Sequence, residues 1–263
     1  MILAVNVGNA LISVGLYDKD GKQLAKTLFS SLAHTTSHEY SYKLRCFLRF
    51  EGWEPTQIEG AILSPVNPLS SAAVAEAIRL TCGKTPLQVG PGIRTGLDIL
   101  LKDPASLGAD VVAMSVAALH KHKPPLIIVV IGAIAMVFFV TNERGQYVGG
   151  AIAPSPRLSL TALSDSAASL PAMAIEAPTR LIGTDTREAL NSGIVFGAAA
   201  MIKGMVEMMV DKIALPPHNS NVKIVVTGSV APAIVPYIGI EVEQDADLLL
   251  DGLNLLYNRN RRK

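Results

Sequence analysis

Apolar runs separated by short turns open the chain. Residues 2–7 and 11–17 are mostly apolar, and a Gly-Asn pair that begins at Gly8 divides them. A polar turn then leads to a third apolar stretch near residues 24–30. Runs of this length between turn residues are typical of β-strands. The pattern therefore predicts three consecutive strands joined by two tight turns.

The same pattern returns in the second half of the chain. Residues 126–131 are apolar, Gly132 interrupts the run, residues 133–140 resume it, and a third stretch covers residues 147–153. The glycines of the two turns are separated by the same interval as those in the first half. We therefore predict an internal duplication of a three-strand unit.

The uncharged stretch from residue 126 to residue 140 raises the question of a membrane span. It is shorter than the roughly 20 residues that a helix needs to cross a bilayer. It is also rich in Ile, Val and Phe and is broken by Gly132. The stretch therefore predicts buried strands, and we expect no membrane partner.

Helical and strand patterns alternate between and after the two strand units. Helices are predicted over residues 37–50, with Ser37 as the N-cap, and over residues 71–81, 109–120, 159–168, 186–213 and 247–258; further strands are predicted over residues 58–63, 86–89 and 223–226. This order predicts an α/β protein of two ribonuclease-H-like lobes. A Lys-His-Lys-Pro-Pro segment at residues 121–125 breaks the pattern, so we assign the lobes to residues 1–122 and 123–263.

Composition excludes several classes of function. The 263 residues are 49% hydrophobic and 17% charged, which supports a packed core. With 23 basic and 22 acidic residues, no strong field favours nucleic acid or an anionic membrane. Cys46 and Cys82 lack metal-binding spacing, and Cys46 is predicted to be a core thiol. Because the strand pattern begins at once, without a leader-like segment, we expect a cytoplasmic protein.

The predicted helix over residues 186–213 carries a stripe of methionines and glycines. Its members are Met201, Met205, Met208, Met209, Gly193, Gly197 and Gly204. Their helical spacing indicates packing in a core or between subunits, not a cofactor site.

The first turn of each strand unit is the candidate for chemistry. In a two-lobed fold of this kind, we expect each turn to point into the cleft between the lobes. Glycine lets the backbone approach a phosphate closely, and the turn amides donate to it. A carboxylate two residues before the glycine can hold a cation that offsets the charge of a transferring phosphoryl group.

A series of short motifs follows this plan along the chain. They are Val-Gly-Asn at 7–9, Gly-Pro-Gly-Ile-Arg-Thr-Gly-Leu at 90–97, Gly-Ala-Asp at 108–110, Gly-Gly-Ala-Ile-Ala-Pro at 149–154, Ile-Gly-Thr-Asp-Thr at 182–186 with Ser-Gly at 192–193, Thr-Gly at 227–228, and Leu-Asp-Gly-Leu at 250–253. In this order and spacing they resemble the type III pantothenate kinases of the actin and sugar-kinase superfamily. The resemblance runs nearly from end to end and implies a duplicated actin/sugar-kinase-type ATPase fold.

The resemblance also implies an activity and its cofactors. Family members are dimeric kinases that transfer the γ-phosphate of ATP to pantothenate, the first step of coenzyme A biosynthesis. ATP, Mg²⁺ and a monovalent cation, K⁺ or NH₄⁺, are the cofactors that it implies. Binding of these cofactors by this chain is in question because of the departures described below.

Residue roles follow from the same resemblance. Asp110 falls where the family has the catalytic base that takes the proton of the pantothenate hydroxyl, although it could instead pair with Arg94 or Lys102. The ATP and phosphate turns are implied at Asn6, Val7, Gly8, Asn9, Ala10, Gly132 and Ala133. The pantothenate-binding positions are implied at Gly96, Gly108, Ala109, Val111 and Thr186.

Departures from the family pattern cluster at these positions. The family's Asp two residues before the first turn glycine is Asn6 here, and its monovalent-cation Asp is Val130, so no metal ligand is retained there. The Arg after the catalytic Asp is Val111, which removes a guanidinium grip on the pantothenate carboxylate. In the first turn the family's Thr and Asn are Ala10 and Leu11 here. In the second turn the family's Thr-Ala-Thr-Thr run is Ala133, Ile134, Ala135 and Met136, and a later Asp is Phe138.

These replacements predict a large loss of catalytic power. One lost charge-assisted contact costs about 1.5 to 3 kcal/mol, and about 1.4 kcal/mol corresponds to a tenfold change in rate. We therefore expect a pantothenate kinase homologue that is weak or inactive alone. It would act as a homodimer, or as a non-catalytic or regulatory subunit with a paralogous kinase. The alternatives are an active kinase with a divergent cation site and a small-ligand binding module without kinase activity.

Overall fold

Two five-stranded sheets share one strand order. The computed structural model describes residues 1–32, 34–167, 169–213 and 222–261. Its strands are β1 Ile2–Val7, β2 Leu11–Tyr17, β3 Gln23–Ser30, β4 Gly60–Pro65, β5 Leu87–Gln88, β6 Leu126–Ile131, β7 Ala135–Thr141, β8 Tyr147–Pro154, β9 Lys223–Thr227 and β10 Glu243–Gln244. Its α-helices are α1 Ser37–Phe50, α2 Pro68–Cys82, α3 Ala109–Lys121, α4 Pro156–Ser166, α5 Thr186–Ile213, α6 Ala231–Ile234 and α7 Leu248–Asn260.

The predicted duplication is confirmed by the sheet topology. The first sheet has the order β3-β2-β1-β4-β5, and the second has the order β8-β7-β6-β9-β10. In each sheet the first strand of the unit is antiparallel to the second and parallel to the fourth. The predicted α/β class is therefore confirmed.

The described residues divide into two compact units. One contains residues 1–97, 102–117 and 247–261, and the other contains residues 98–101 and 118–246. The predicted lobes, 1–122 and 123–263, differ from these units chiefly in the C-terminal helix, which packs on β1 and β4 of the first sheet. Sequence pattern defines that helix but contains no information on which sheet it covers.

The first unit has helices on both faces of its sheet. Alternate β1 residues such as Leu3 and Val5 pack with α1 and α2 in one buried cluster. On the other face, Leu250 of α7 lies against Gly15 and Tyr257 lies against Gly60. Side chains at either glycine would collide with α7, so the small residues set the distance between helix and sheet.

The second unit is built around β6, β7 and α5. Ile127, Val129, Met136 and Phe138 are fully buried there with one face of α5. The uncharged run over residues 126–140 is therefore two core strands, as predicted. Among the described residues, one helix, α5, is long and apolar enough to cross a membrane by length and composition alone.

Local capping explains where two helices begin. Thr36, not the predicted Ser37, is the N-cap of α1: its hydroxyl accepts from the Glu39 amide and the Glu39 carboxylate accepts from the Thr36 amide. This is a capping box, and its Thr-x-x-Glu signature was present in the sequence. Helix α2 begins earlier than predicted because Asn67 caps it and Pro68 occupies the first helical position.

The remaining predictions differ from the structure mainly at element ends. Helix α4 begins three residues earlier than predicted because Ser155 caps it, and the predicted last residue, Ala168, lies outside the described residues. The strand predicted over residues 58–63 is shifted to Gly60–Pro65, and that over residues 133–140 to Ala135–Thr141. Cys46 is exposed on the outer side of α1, so the prediction of a core thiol was wrong.

Candidate functional site

The two turns that follow β1 and β6 have the same hydrogen bonds. The Gly8 amide donates to the Leu11 carbonyl at 3.0 Å, and the Gly132 amide donates to the Ala135 carbonyl at 3.0 Å. In each turn the carbonyl two residues after the glycine accepts from a serine amide. The Ala10 carbonyl accepts from Ser31 at 2.9 Å, and the Ile134 carbonyl accepts from Ser155 at 3.0 Å. The turns therefore share these two hydrogen bonds, and their glycine amides are already used within the turn.

The residue two positions before each glycine has opposite chemistry in the two turns. In the first sheet, Asn6 pairs in register with Ser13 on one side and Ser64 on the other. Asn6 is 7% exposed and Ser64 is fully buried, and neither the Asn6 Oδ1 atom nor the Ser64 Oγ atom has a hydrogen-bond partner among the described residues. A polar row therefore crosses three strands beneath the first turn.

The equivalent row in the second sheet is largely apolar. Val130 pairs in register with Val137 and with Thr227. In the turn and strand that follow, Ile134 is 49% exposed, whereas Met136 and Phe138 are fully buried in the core of their unit. The side chains of Met136 and Phe138 are thus part of the core.

These two rows are a poor fit for the cations that the resemblance implies. Mg²⁺ is usually bound through carboxylates and substrate phosphates in octahedral geometry. The first row offers one amide and two hydroxyl oxygens, and Val130 offers no side-chain oxygen. Neither row supplies a carboxylate, so neither matches the ligands that Mg²⁺ usually has in proteins.

The fit to phosphate is partial. Asn9 and Ala10 at the tip of the first turn are exposed, and no acceptor for their amides occurs in the described parts of the chain. Such amides are suitable donors to a phosphate oxygen. The first turn therefore keeps backbone donors and lacks the hydroxyl donors that the resemblance implies.

Asp110 lies in the first turn of α3, where its carboxylate Oδ1 accepts from the Val111 amide at 2.9 Å. Burial raises the pKa of the Asp110 carboxyl above its ordinary value, and the Val111 hydrogen bond opposes part of that shift. Among the described residues, no ion pair joins Asp110 to Arg94 or Lys102. A half-buried carboxyl with a raised pKa is a stronger base than an exposed one.

Three residues that are predicted to bind pantothenate lie next to Asp110 at the start of α3. Gly108 is so close to Asp110 that a Cβ atom on it would lie 2.7 Å from Oδ1. Ala109 opens α3, and Val111 is a half-buried apolar side chain. The predicted segment 108–111 therefore forms the N-terminal end of α3.

Gly96 lies in the loop after β5 and is tied to α7. It has a φ of 66°, in the region that favours glycine. The Arg259 guanidinium donates to the Thr95 carbonyl next to it, and Asn260 bonds the backbone of Arg94. Sequence reasoning missed these two α7 residues because nothing in a local pattern links positions so far apart.

Thr186 belongs to the second unit, where it is the first residue of α5 and is exposed. The turn before it is fixed by Glu188, whose carboxylate accepts from the Thr184 amide at 2.9 Å and from the Thr184 hydroxyl at 2.8 Å. Gly132, Ala133 and Val130 are in the same unit, whereas Asn6 to Ala10, Gly96 and the 108–111 segment are in the first.

The fold defines the class of protein. The solved structure of an activator of 2-hydroxyisocaproyl-CoA dehydratase from Clostridium difficile, with bound ADPNP, superposes with a TM-score of 0.55 at 12% identity, covering 97% of this chain and 93% of that one. Together with the duplicated sheet order, this likeness defines an ATPase fold of the actin and sugar-kinase type.

Sequence similarity then defines the family. The model of the type III pantothenate kinase family matches residues 2–208. The type III pantothenate kinase of Geobacillus thermodenitrificans (strain NG80-2) is 37% identical over 267 residues, covering 100% of this chain and 99% of the relative. That of Anaeromyxobacter sp. (strain K) is 33% identical over 262 residues, covering 99% and 100%. The chain belongs to the type III pantothenate kinase family.

Proposed function

We propose that this chain is a type III pantothenate kinase homologue with weak or no phosphoryl transfer of its own. The observation that carries the proposal is the pair of residues two positions before the turn glycines, Asn6 and Val130. Neither is a carboxylate, although they occupy equivalent places in the two sheets. Without a nearby cation or acidic ligand set, the charge of a transferring phosphoryl group is poorly stabilised.

Pantothenate is the proposed ligand, because the segment that resembles the family's pantothenate site is kept. In this proposal, Gly96, Gly108 and Ala109 shape the pocket, and Asp110 accepts the proton of the pantothenate hydroxyl. Thr186 is a further pantothenate contact that the resemblance implies. The raised pKa of the Asp110 carboxyl supports the role of base. Val111 supplies no charge for the pantothenate carboxylate, so its affinity should be lower than in relatives with an arginine.

The turns that follow β1 and β6 are the proposed phosphate-binding elements for a nucleotide. The exposed amides of Asn9 and Ala10 support phosphate binding there, with ATP as the proposed nucleotide. When bound, Mg²⁺ and a monovalent cation would supply charge neutralisation. The donor sets at Asn6 and Val130 fit neither cation well.

A second candidate is an active pantothenate kinase with a divergent cation site. One observation favours it: Asp110 is retained, is half-buried and has a raised pKa, as a working base needs. In that case other oxygens of the chain would have to bind the cations.

We also propose that the chain works as a dimer, either with itself or with a paralogous kinase, in the cytoplasm. The support is the face of α5 that carries Gly193, Gly197, Met201, Gly204 and Met208. This face lies opposite the buried residues of the helix, and a Cβ atom on any of its three glycines would meet nothing within 4 Å. An apolar face of this kind is typical of a subunit contact.

A coupled assay of ATP consumption with pantothenate tests the proposal. The purified chain and the Geobacillus thermodenitrificans relative are assayed side by side at the same concentration. We expect the relative to turn over and this chain to be slower by about a hundredfold or more, since two or more contacts worth about 1.5 to 3 kcal/mol are missing. Turnover equal to that of the relative would support the second candidate instead.

A further inference from the structure

The loop that carries Gly96 is held by one side chain of the C-terminal helix. The Asn260 Oδ1 atom accepts from the Arg94 amide at 2.8 Å, and its Nδ2 atom donates to the Arg94 carbonyl at 2.9 Å. The same Nδ2 atom donates to the Leu256 carbonyl at 2.8 Å within α7. One amide thus binds both backbone groups of Arg94, as a neighbouring β-strand would, while α7 fixes the amide itself.

Arg259 adds a second attachment one residue further along the loop. Its guanidinium donates to the Thr95 carbonyl. The same group lies against Gly96, because a Cβ atom there would be 2.8 Å from the Arg259 Nη1 atom. The loop backbone from 94 to 96 is therefore in contact with the last turn of α7.

Helix α7 also supports the helix that carries Asp110. Gly252 packs on the backbone of Ala113, and any side chain at Gly252 would collide with the Ala113 carbonyl. Gly252 and Arg259 are about two helical turns apart and so lie on the same side of α7. One face of α7 therefore contacts both α3 and the loop.

We infer that Arg259 and Asn260 are positioning residues for pantothenate binding. This inference rests on the proposed function, in which the loop at Gly96 shapes the pantothenate pocket. The loop contains Gly90, Gly92 and Gly96, which give it large conformational freedom when it is not attached. Because Arg259 and Asn260 fix residues 94–96 before the ligand arrives, they remove an ordering cost that would otherwise lower the affinity.

The test compares Asn260→Ala with Asn258→Ala. Asn258 is the matched control, because it lies on the same helix and, among the described residues, its Nδ2 atom bonds only within α7, to Asn254 Oδ1 at 3.3 Å. Pantothenate affinity is measured by calorimetry, hydrogen exchange at the Arg94 amide by NMR, and the unfolding midpoint by circular dichroism. We expect Asn260→Ala to lower the affinity by about tenfold, the effect of one or two hydrogen bonds, and to speed exchange at Arg94. Asn258→Ala should change neither, and the two variants should unfold at similar temperatures.

A conservative variant separates positioning from general stability. Arg259→Ala should also weaken pantothenate binding, and Arg259→Lys should recover part of it because lysine keeps a donor for the Thr95 carbonyl. If the wild-type chain binds pantothenate and Asn260→Ala binds it equally well, the inference is overturned while the proposed function stands. The positioning role is also overturned if the variants lose pantothenate affinity only in proportion to a lower unfolding midpoint. It is overturned as well if Arg259→Lys binds pantothenate no better than Arg259→Ala. If the wild-type chain does not bind pantothenate, the substrate assignment fails and the inference fails with it.

Discussion

At the residue scale, the two positions before the turn glycines determine what the turns can bind. Asn6 is buried and its amide oxygen has no partner in the part of the chain that the structure describes, whereas Val130 has only methyl groups. The type of residue at each position was readable from the sequence. The register partners Ser13, Ser64 and Thr227 were not, because strand pairing is a long-range property.

Restoring a carboxylate at the first position should create a response to Mg²⁺. Asn6→Asp buries a charge without a partner, so we expect it to lower stability by about 3 to 5 kcal/mol in the absence of metal. Addition of Mg²⁺ with ATP should raise its unfolding midpoint, because a ligand that binds only the folded state stabilises it. Thermal unfolding with and without Mg-ATP measures both effects.

The matched control for this experiment is Asn9→Asp. It makes the same chemical change three positions away, at an exposed tip of the same turn. We expect no metal-dependent shift in this variant or in the wild-type chain. An equal Mg²⁺ response in all three proteins would show that Asn6 does not limit cation binding.

Replacing Asp110 by Asn should raise stability at neutral pH and abolish activity. Since burial raises the pKa of its carboxyl, the folded chain holds this proton more tightly than the unfolded chain. The resulting stability is full below the ordinary Asp pKa of about 3.9 and is lost as the pH rises through the folded value. Asp110→Asn removes that loss, so it should be more stable than the wild type at pH 7 and similar to it below about pH 4. Any residual turnover should disappear.

Urea unfolding at pH 7 and pH 4 checks this expectation. Asp20→Asn, at an exposed turn in the same unit, is the control. A stability loss at pH 7 in Asp110→Asn would mean that the ionised carboxylate makes a stabilising contact, and would count against its role as a free base.

At the element scale, continuous apolar runs were predicted better than element ends. The bounds of β1, β2, β6 and α5 agree with the prediction, because glycine turns or polar residues bound each run sharply. Helix α2 starts earlier than predicted because Asn67 caps it and Pro68 is its first helical residue. The two-residue strands β5 and β10 depend on pairing with a longer neighbour, so local pattern defines them weakly.

Because α7 packs closely on α3, adding one methyl group at Gly252 should strongly lower stability. Gly252→Ala places a Cβ atom against the Ala113 carbonyl, so we expect a loss of about 1 to 3 kcal/mol in the free energy of unfolding. Gly90→Ala is the control, because the added atom meets nothing there and Gly90 lies outside the proposed dimer face. It should be neutral or stabilise by up to about 1 kcal/mol. Equal effects of the two variants in chemical denaturation would contradict the close packing of α7 on α3.

At the scale of the whole molecule, duplication was readable from the sequence and the division of the chain was not. Matching turn intervals revealed two strand units, and the identical sheet orders confirm them. The C-terminal helix packs on the first sheet instead of the second. Its attachment uses pairs such as Tyr17 with Asp251, joined by a 2.8 Å hydrogen bond, and Lys26 with Asp247. Such distant partners cannot be inferred from periodicity.

The proposed dimer makes a prediction at the same scale. Met201 and Met208 are 41% and 59% exposed on the free face of α5. Replacing both by Lys should shift the protein from dimer to monomer in sedimentation analysis, with a dimer dissociation constant raised about tenfold or more. Leu69→Lys, which replaces an exposed apolar residue of α2, is the control and should leave the mass unchanged. A wild-type chain that sediments as a monomer would contradict the homodimer.

The central claim is that no carboxylate at the ends of β1 and β6 neutralises the triphosphate of a nucleotide. A crystal structure determined with Mg-ATP and pantothenate tests it most directly. We predict density for pantothenate beside Asp110 and no ordered Mg²⁺ or K⁺ at Asn6 or Val130. An ordered nucleotide whose cations are bound by other oxygens of the chain would contradict the claim.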